Sequence, residues 1–246
     1  MKTLIQIFTI SILLSFTNHN SEKTMFGLFK SKKELSRKER TEKFLEQKGV
    51  KINYNLPNIE SESETTIRKP KEIAQRVTVL AVTNIVAFDG MTSDEAKEYL
   101  LKYNLWDYVT PDEKSFLKDP TPEKKNQETW KCEGIWTLMW ALKIVDRLEF
   151  PDKMCDLNDI PNDKYPIAKD KDPNTFINAI DDARSKAEIL DANDLYYRID
   201  WACVDARING LDLKGLNSGV VYERHYALNW LINYMDQEWD DISCDT

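Results

Sequence analysis

The sequence predicts an all-α fold, built as one globular domain of about seven or eight helices around a buried central helix. Apolar residues recur at helical spacing in several segments, and no convincing alternation of apolar and polar residues indicates a strand. Only seven Gly and nine Pro interrupt 246 residues, of which 41% are hydrophobic. That hydrophobic content is enough to bury one core.

Capping boxes predict where three helices begin. Each box pairs a Ser or Thr at the N-cap with a Glu three residues later, so that each side chain bonds a backbone N–H of the first turn. The pairs are Ser36 with Glu39, Thr92 with Glu95, and Thr110 with Glu113. The corresponding helices are expected to end near Gly49, Asn104 and Lys118.

Another helix is expected between the first two of these boxes. Pro70 suits a first helical turn, and apolar residues from Ile73 to Val86 carry the helix to a stop at Asp89-Gly90. The polar stretch 55–64 before it is either a linker or an extended segment lying on the domain.

The central helix is predicted to span residues 122–148. It is apolar on nearly all sides between 135 and 145, which indicates burial by several neighbours. Residues 151–172 are rich in Asp and Pro and predict a long acidic surface loop. Three final helices are expected to begin at Asp172-Pro173, Asp191 and Ser218, the last of them reaching about Asp236.

The N-terminal 35 residues divide into two parts. Residues 1–24 are either a signal-like leader, whose apolar run is too short to span a bilayer, or a mis-assigned start before Met25. The start at Met25 is favoured and predicts a cytoplasmic protein, whereas a true leader predicts an exported one. Residues 25–35 are basic and weakly amphipathic, and membrane contact is expected only through this N-terminal segment. Residues 36–246 are expected to form the domain.

The charge distribution argues against binding of nucleic acid. The chain has 34 basic and 42 acidic side chains, a net charge of −8. Residues 1–50 carry +5, which leaves −13 for residues 51–246. An acidic surface repels phosphate backbones, so no nucleic-acid partner is predicted.

Several classes of site are not indicated by the sequence. It has two His and lacks a phosphate-binding Gly loop, a dinucleotide fingerprint and a nucleophile elbow. Its four Cys form no Cys-x-x-Cys pair, so no metal is expected, and Cys132 and Cys203 fall in apolar helical segments. We therefore predict neither a metal nor a cofactor.

Glu133 is a carboxylate on an apolar helical stripe, where a hydrophobic core has no need of a charged residue. At 100° per residue it lies about 60° from Trp130, on the apolar stripe with Thr137 and Ile144. A carboxylate there is expected to be paired or protonated. Three interpretations stay open: a buried Glu held by an Arg or a Trp N–H, a general acid or base with a raised pKa, and a partly exposed side chain.

Further polar residues stand beside the apolar stripes of the last helices. Arg198 and Asp205 follow one flank of the helix after Asp191. Asp194 and Arg198 form an i, i+4 pair, by default a surface contact; the alternative is that Arg198 turns inward to meet Glu133.

In the final helix Arg224 precedes His225, which lies at the edge of the apolar stripe. A lone His there is more often a hydrogen-bonded packing residue than a catalyst.

The C-terminal tail is acidic and contains a tryptophan. Trp239, Asp240 and Asp241 belong either to a solvated end or to a docking element. In the second case they would contact a basic partner, or the tail would close over a groove by its Trp.

Three separated motifs carry a resemblance to a known family. The segments 130–142, 222–231 and 239–246 resemble the DUF4272 family, a bacterial group of uncharacterised proteins, and Arg68–Arg76 is similar to that family's opening helix. The resemblance covers residues 36–246 and implies a mainly helical domain, without a reaction. Family members usually have Thr where Cys244 stands, which argues against a required role for that thiol.

Two functional hypotheses follow. The first is a non-catalytic cytoplasmic protein that acts by binding an unknown protein partner; its basis is an acidic, Trp-rich chain without a catalytic constellation. The second is an enzyme that binds a small molecule in a pocket of Glu133, Arg198, Asp205, Arg224 and His225. In that pocket Glu133 or His225 would act as acid or base, and an Arg would hold an anionic substrate.

Overall fold

A computed structural model describes residues 35–246, which form one compact unit. The described residues contain nine α-helices, four short 3₁₀ helices and no strand, which confirms the all-α prediction. The α-helices are α1 (Arg37–Gln47), α2 (Pro70–Ala87), α3 (Ser93–Lys102), α4 (Pro111–Lys118), α5 (Pro122–Trp130), α6 (Cys132–Ala141), α7 (Pro173–Ala179), α8 (Lys186–Asn209) and α9 (Ser218–Leu231). The predictions for residues 1–24, and for residues 25–34 of the basic segment, lie outside the described residues.

The predicted central helix is divided into α5 and α6. Lys131 separates the two helices, and Asn84 of α2 inserts its Nδ2 beside them, donating to the carbonyl of Glu128 at 2.9 Å. A side chain inserted into the helical hydrogen-bond ladder is a known cause of a kink. The helix also ends at Ala141 rather than near residue 148, because Arg184 binds the terminal carbonyls of Trp140 and Ala141.

The capping boxes at Ser36, Thr92 and Thr110 are all formed. A fourth box, Ser185 with Glu188, opens α8 at Lys186, so the predicted start at Asp191 is wrong. The last helix, α9, ends at Leu231, and a separate 3₁₀ turn covers Tyr234–Asp236.

The core is organised around two buried helices, α2 and α6. Helix α2 packs against α3, α4, α5, α6 and α7, while α6 also packs against α9. Helix α9 in turn packs along α8, so it lies between α8 and α6. This order decides which charged side chains of the last two helices can reach Glu133.

Two irregular segments lie on the domain. In the segment between α1 and α2, the Pro57 carbonyl accepts a hydrogen bond from Arg198, and the Thr65 carbonyl accepts one from Lys186. Residues 55–64 therefore lie on the domain and are not a free linker. The 151–172 segment buries Ile160 and Ile167 and is therefore only partly a surface loop. No helix among residues 35–246 is long and apolar enough to cross a bilayer.

Candidate functional site

Glu133 is fully buried and paired with an arginine of α9. Its Oε2 accepts a hydrogen bond from Arg224 Nε at 2.7 Å, and its Oε1 accepts one from the backbone N–H of Cys155 at 2.6 Å. Arg224 Nη1 donates to Tyr196 Oη at 2.9 Å and to the Glu149 carbonyl at 2.8 Å. Burial by itself lowers the pKa of Arg224, but Tyr196 and Glu133 outweigh that effect and raise it, so the guanidinium is charged. Of the three interpretations of Glu133, the buried carboxylate held by an arginine matches this geometry.

Arg198 does not meet Glu133, so the alternative in which it turns inward to that carboxylate is wrong. Helix α9 lies between α8 and α6, and it is Arg224 of α9 that reaches the carboxylate. Arg198 instead donates from Nη2 to Asp194 Oδ1 at 2.8 Å and to the carbonyl of Pro57 at 3.0 Å. Arg198 and Asp194 are both buried, so their contact is an internal ion pair and not a surface one.

The pocket of five side chains expected from the sequence is not formed. Asp205 lies near the C-terminal end of α8, where its Oδ2 pairs with Lys51 Nζ at 2.6 Å. His225 is buried beside Asp200, with its Nδ1 2.9 Å from Asp200 Oδ2. The residues proposed for one pocket are thus distributed among four separate pairs, of which Glu133–Arg224, Arg198–Asp194 and Asp205–Lys51 are ion pairs and His225–Asp200 is a hydrogen-bonded pair.

The tail is part of the domain, so its interpretation as a solvated end is wrong. Trp239 is only 3% exposed, and its ring lies edge-on to the rings of Trp230 and Tyr226 at centroid distances of 5.5 and 5.3 Å. Asp240 Oδ2 accepts a hydrogen bond from the N–H of Asp112 in the first turn of α4, at 2.9 Å. A carboxylate at this position stabilises the unpaired N–H groups and the positive end of the helix dipole. Of the three predicted docking residues, only Asp241 is exposed.

Two glycines allow tryptophan rings to pack against helices. A Cβ on Gly219 of α9 would lie 2.6 Å from Trp130 Cζ3, so Trp130 occupies the space that any other residue would need. A Cβ on Gly134 of α6 would meet the Trp239 ring at 3.6 Å, an ordinary contact distance. Trp130 is therefore a packing residue of α5 against α9, apart from the Glu133 pair.

A groove of about 670 Å³ lies where the tail crosses α2 and the start of α4. Three of its lining side chains, Arg76, Trp230 and Trp239, are each more than nine-tenths buried, and each has one N–H donor without a partner. The donors are Arg76 Nε, Trp230 Nε1 and Trp239 Nε1. Buried donors are normally hydrogen-bonded, so three of them behind the wall of one groove are unusual, but all three atoms are closed to solvent.

The rim of this groove is acidic. Five exposed carboxylates line it, those of Glu72, Asp107, Asp112, Glu238 and Asp241. The two arginines in its wall are already paired, because Arg68 contacts Glu238 at 3.2 Å and Arg76 forms an ion pair with the buried Glu113. Sequence reasoning missed the groove because its walls come from three distant segments, of which only the tail was noted.

Glu223 is a second residue that the sequence did not single out. Burial is the largest cause that raises the pKa of Glu223 to about 7. The nearby charge of Lys131 lowers this pKa, whereas the charges of Glu128 and Glu133 raise it further. Glu223 lines a cavity of about 380 Å³ together with Tyr222, Tyr226 and Trp239. A position next to Arg224 was the only available signal.

Comparison with known proteins gives one match. The model of the family described as "Domain of unknown function (DUF4272)" matches residues 37–242, which confirms the resemblance seen in the sequence. Searches of curated proteins and of solved structures each found no match.

Proposed function

The chain belongs to the DUF4272 family, and from that premise we propose that it is a non-catalytic protein that binds a basic segment of a partner protein in the groove between α2, α4 and the tail. The observation that carries the proposal is the acidic rim of this groove, which is formed by exposed carboxylates from three separate segments. An extended peptide with Lys or Arg side chains supplies the complementary charge.

The charge of the rim selects the partner. Because Arg68 and Arg76 are neutralised by Glu238 and Glu113, the remaining carboxylates give the groove a negative potential. Residues 51–246 as a whole carry a net charge of −13, which acts in the same direction. Complementary charge steers association and disfavours acidic partners.

The non-catalytic part of the proposal is supported by the ion pairs. Each of the five residues of the alternative pocket is bonded to a partner within the fold, and all of them except Asp205 are buried.

The compartment that we propose is the cytoplasm. All four cysteines are free, and Cys132 and Cys155 form no disulfide although their sulfur atoms lie within 4.8 Å of each other. Free thiols so close together are typical of a reducing compartment. Titration of thiols in protein taken from its native cells tests this, because a Cys132–Cys155 disulfide would contradict it.

The binding proposal is tested with a peptide of defined sequence. The probe is rich in Arg and Lys, its control peptide has Gln at those positions, and calorimetry measures the affinity at low salt. The double variant Asp107→Asn, Asp241→Asn removes two rim charges and is expected to weaken binding about tenfold. The matched variant Asp163→Asn, Asp181→Asn removes two exposed charges elsewhere and is expected to change it far less.

Two results would overturn the proposal. One is equal loss of affinity in the two double variants, which would mean that the peptide follows net charge and not the groove. The other is equal binding of the basic peptide and its Gln control.

A further inference from the structure

A second polar cluster lies where the C-terminal segment crosses α8 and α9. It consists of Asp200 of α8, His225 of α9 and Cys244 of the segment that follows. One ligand atom from each of the three lies within 4.8 Å of the other two. Asp200 and His225 are buried and Cys244 is partly buried.

We propose that these three side chains form a zinc site. Thiolate sulfur, imidazole nitrogen and carboxylate oxygen are the three donors that Zn²⁺ takes from proteins. A sulfur and a nitrogen donor disfavour Mg²⁺ and Ca²⁺, which prefer oxygen ligands. The proposal is independent of the groove, which lies on other residues.

The spacing of the cluster is close to that of a bound site. Zinc–ligand distances of about 2.0–2.3 Å in a tetrahedron place neighbouring ligand atoms about 3.3–3.8 Å apart. His225 Nδ1 and Asp200 Oδ2 are 2.9 Å apart, and Cys244 Sγ lies within 4.8 Å of the atoms of both. Side-chain shifts of about 1 Å therefore complete the arrangement.

The local charge favours a cation. Besides Asp200, Asp245 places negative charge near the sulfur of Cys244. A second cluster of similar composition, Cys132, Glu133 and Cys155, differs in this respect, because the carboxylate of Glu133 is already neutralised by Arg224. A cation there would meet the guanidinium, so the second cluster serves as an internal control.

Three protein ligands leave one position of a tetrahedron open. A water molecule would fill that position. The metal would fasten the C-terminal segment to α8 and α9.

The test uses the full chain, freed of metal and titrated with ZnCl₂ and, separately, with CoCl₂. Calorimetry gives the zinc stoichiometry, and a thiolate-to-cobalt charge-transfer band reports coordination by sulfur. The key variant is Cys244→Thr, which preserves the size of the side chain but offers no thiolate. Cys155→Ser is the matched control in the other cluster, and Asp200→Asn tests the carboxylate.

We expect one zinc ion per chain, a charge-transfer band, and loss of both in Cys244→Thr. Cys155→Ser is expected to retain both, and Asp200→Asn to weaken zinc binding at least tenfold. The proposal is overturned if the unsubstituted chain binds no zinc, if the band survives in Cys244→Thr, or if Cys155→Ser is the variant that loses it.

Discussion

Replacing Glu133 by Gln tests the ion pair that joins α6 to α9. The substitution preserves the shape of the side chain but removes its charge and one of its two acceptor oxygens. In the fold these oxygens separately accept from Arg224 Nε and from the backbone N–H of Cys155. A Gln amide can serve only one of those donors and turns its own NH₂ group towards the other.

The expected cost can be worked from this geometry. Breaking one side of a buried ion pair costs about 3–5 kcal/mol, because a charge is left without its partner in the interior. Arg224 keeps its hydrogen bonds to Tyr196 and to the carbonyl of Glu149, which offsets part of that penalty. We therefore expect Glu133→Gln to lower the free energy of unfolding by about 3 kcal/mol, a large fraction of the total for a domain.

Urea unfolding followed by far-UV circular dichroism measures this difference. The matched control is Glu62→Gln, since Glu62 contacts Arg37 at 3.4 Å on the surface and is 56% exposed; its loss should stay below about 1 kcal/mol. In the double variant Glu133→Gln, Arg224→Met the stranded charge is gone, so the cost should be less than the sum of the single variants. If Glu133→Gln costs no more than Glu62→Gln, the reasoning from the buried pair is refuted.

Three further changes test other parts of the structure. Because the pKa of Glu223 is raised from 4.5 to about 7, its protonated form contributes stability below pH 4.5 that is lost as the pH rises through 7. We expect Glu223→Gln to remove up to about 3 kcal/mol of this pH dependence, measured by urea unfolding at pH 4, 6 and 8; an unchanged dependence would contradict the assignment. Trp239→Ala should cost about 3–5 kcal/mol in the same assay because the ring is buried, whereas a loss under about 1 kcal/mol would mean that the tail is not docked. Gly219→Ala should cost about 1–3 kcal/mol through its clash with Trp130, while Gly134→Ala should be neutral or slightly stabilising; equal melting temperatures for the two variants would argue against the clash.

The sequence was a good guide wherever structure depends on neighbouring residues. The capping boxes at Ser36, Thr92 and Thr110 are formed because the hydrogen bonds of an N-cap join residues three positions apart. Apolar periodicity identified α2 and the apolar half of the central element, α6, as buried for the same reason. The start of α8 also has a local signal, the box of Ser185 with Glu188, which the predicted start at Asp191 left out.

The sequence failed where a partner comes from a distant part of the chain. The break at Lys131 depends on Asn84, 47 residues earlier, and the early end of α6 depends on Arg184. Glu133 was correctly identified as a carboxylate that needs a partner, but the periodicity of one helix contains no information about which arginine supplies it.

By itself the sequence determined that the chain is helical, that most of its helices begin at recognisable caps, that its domain is acidic and that Glu133 requires compensation. The tertiary structure alone decided that Arg224 provides it, because α9 is packed between α8 and α6. It also decided that Trp239 is buried and that Asp200, His225 and Cys244 meet. The physical reason is the range of the interactions: caps and periodicity act within a few residues, whereas ion pairs, ring packing and metal ligation join atoms that only the folded chain brings together.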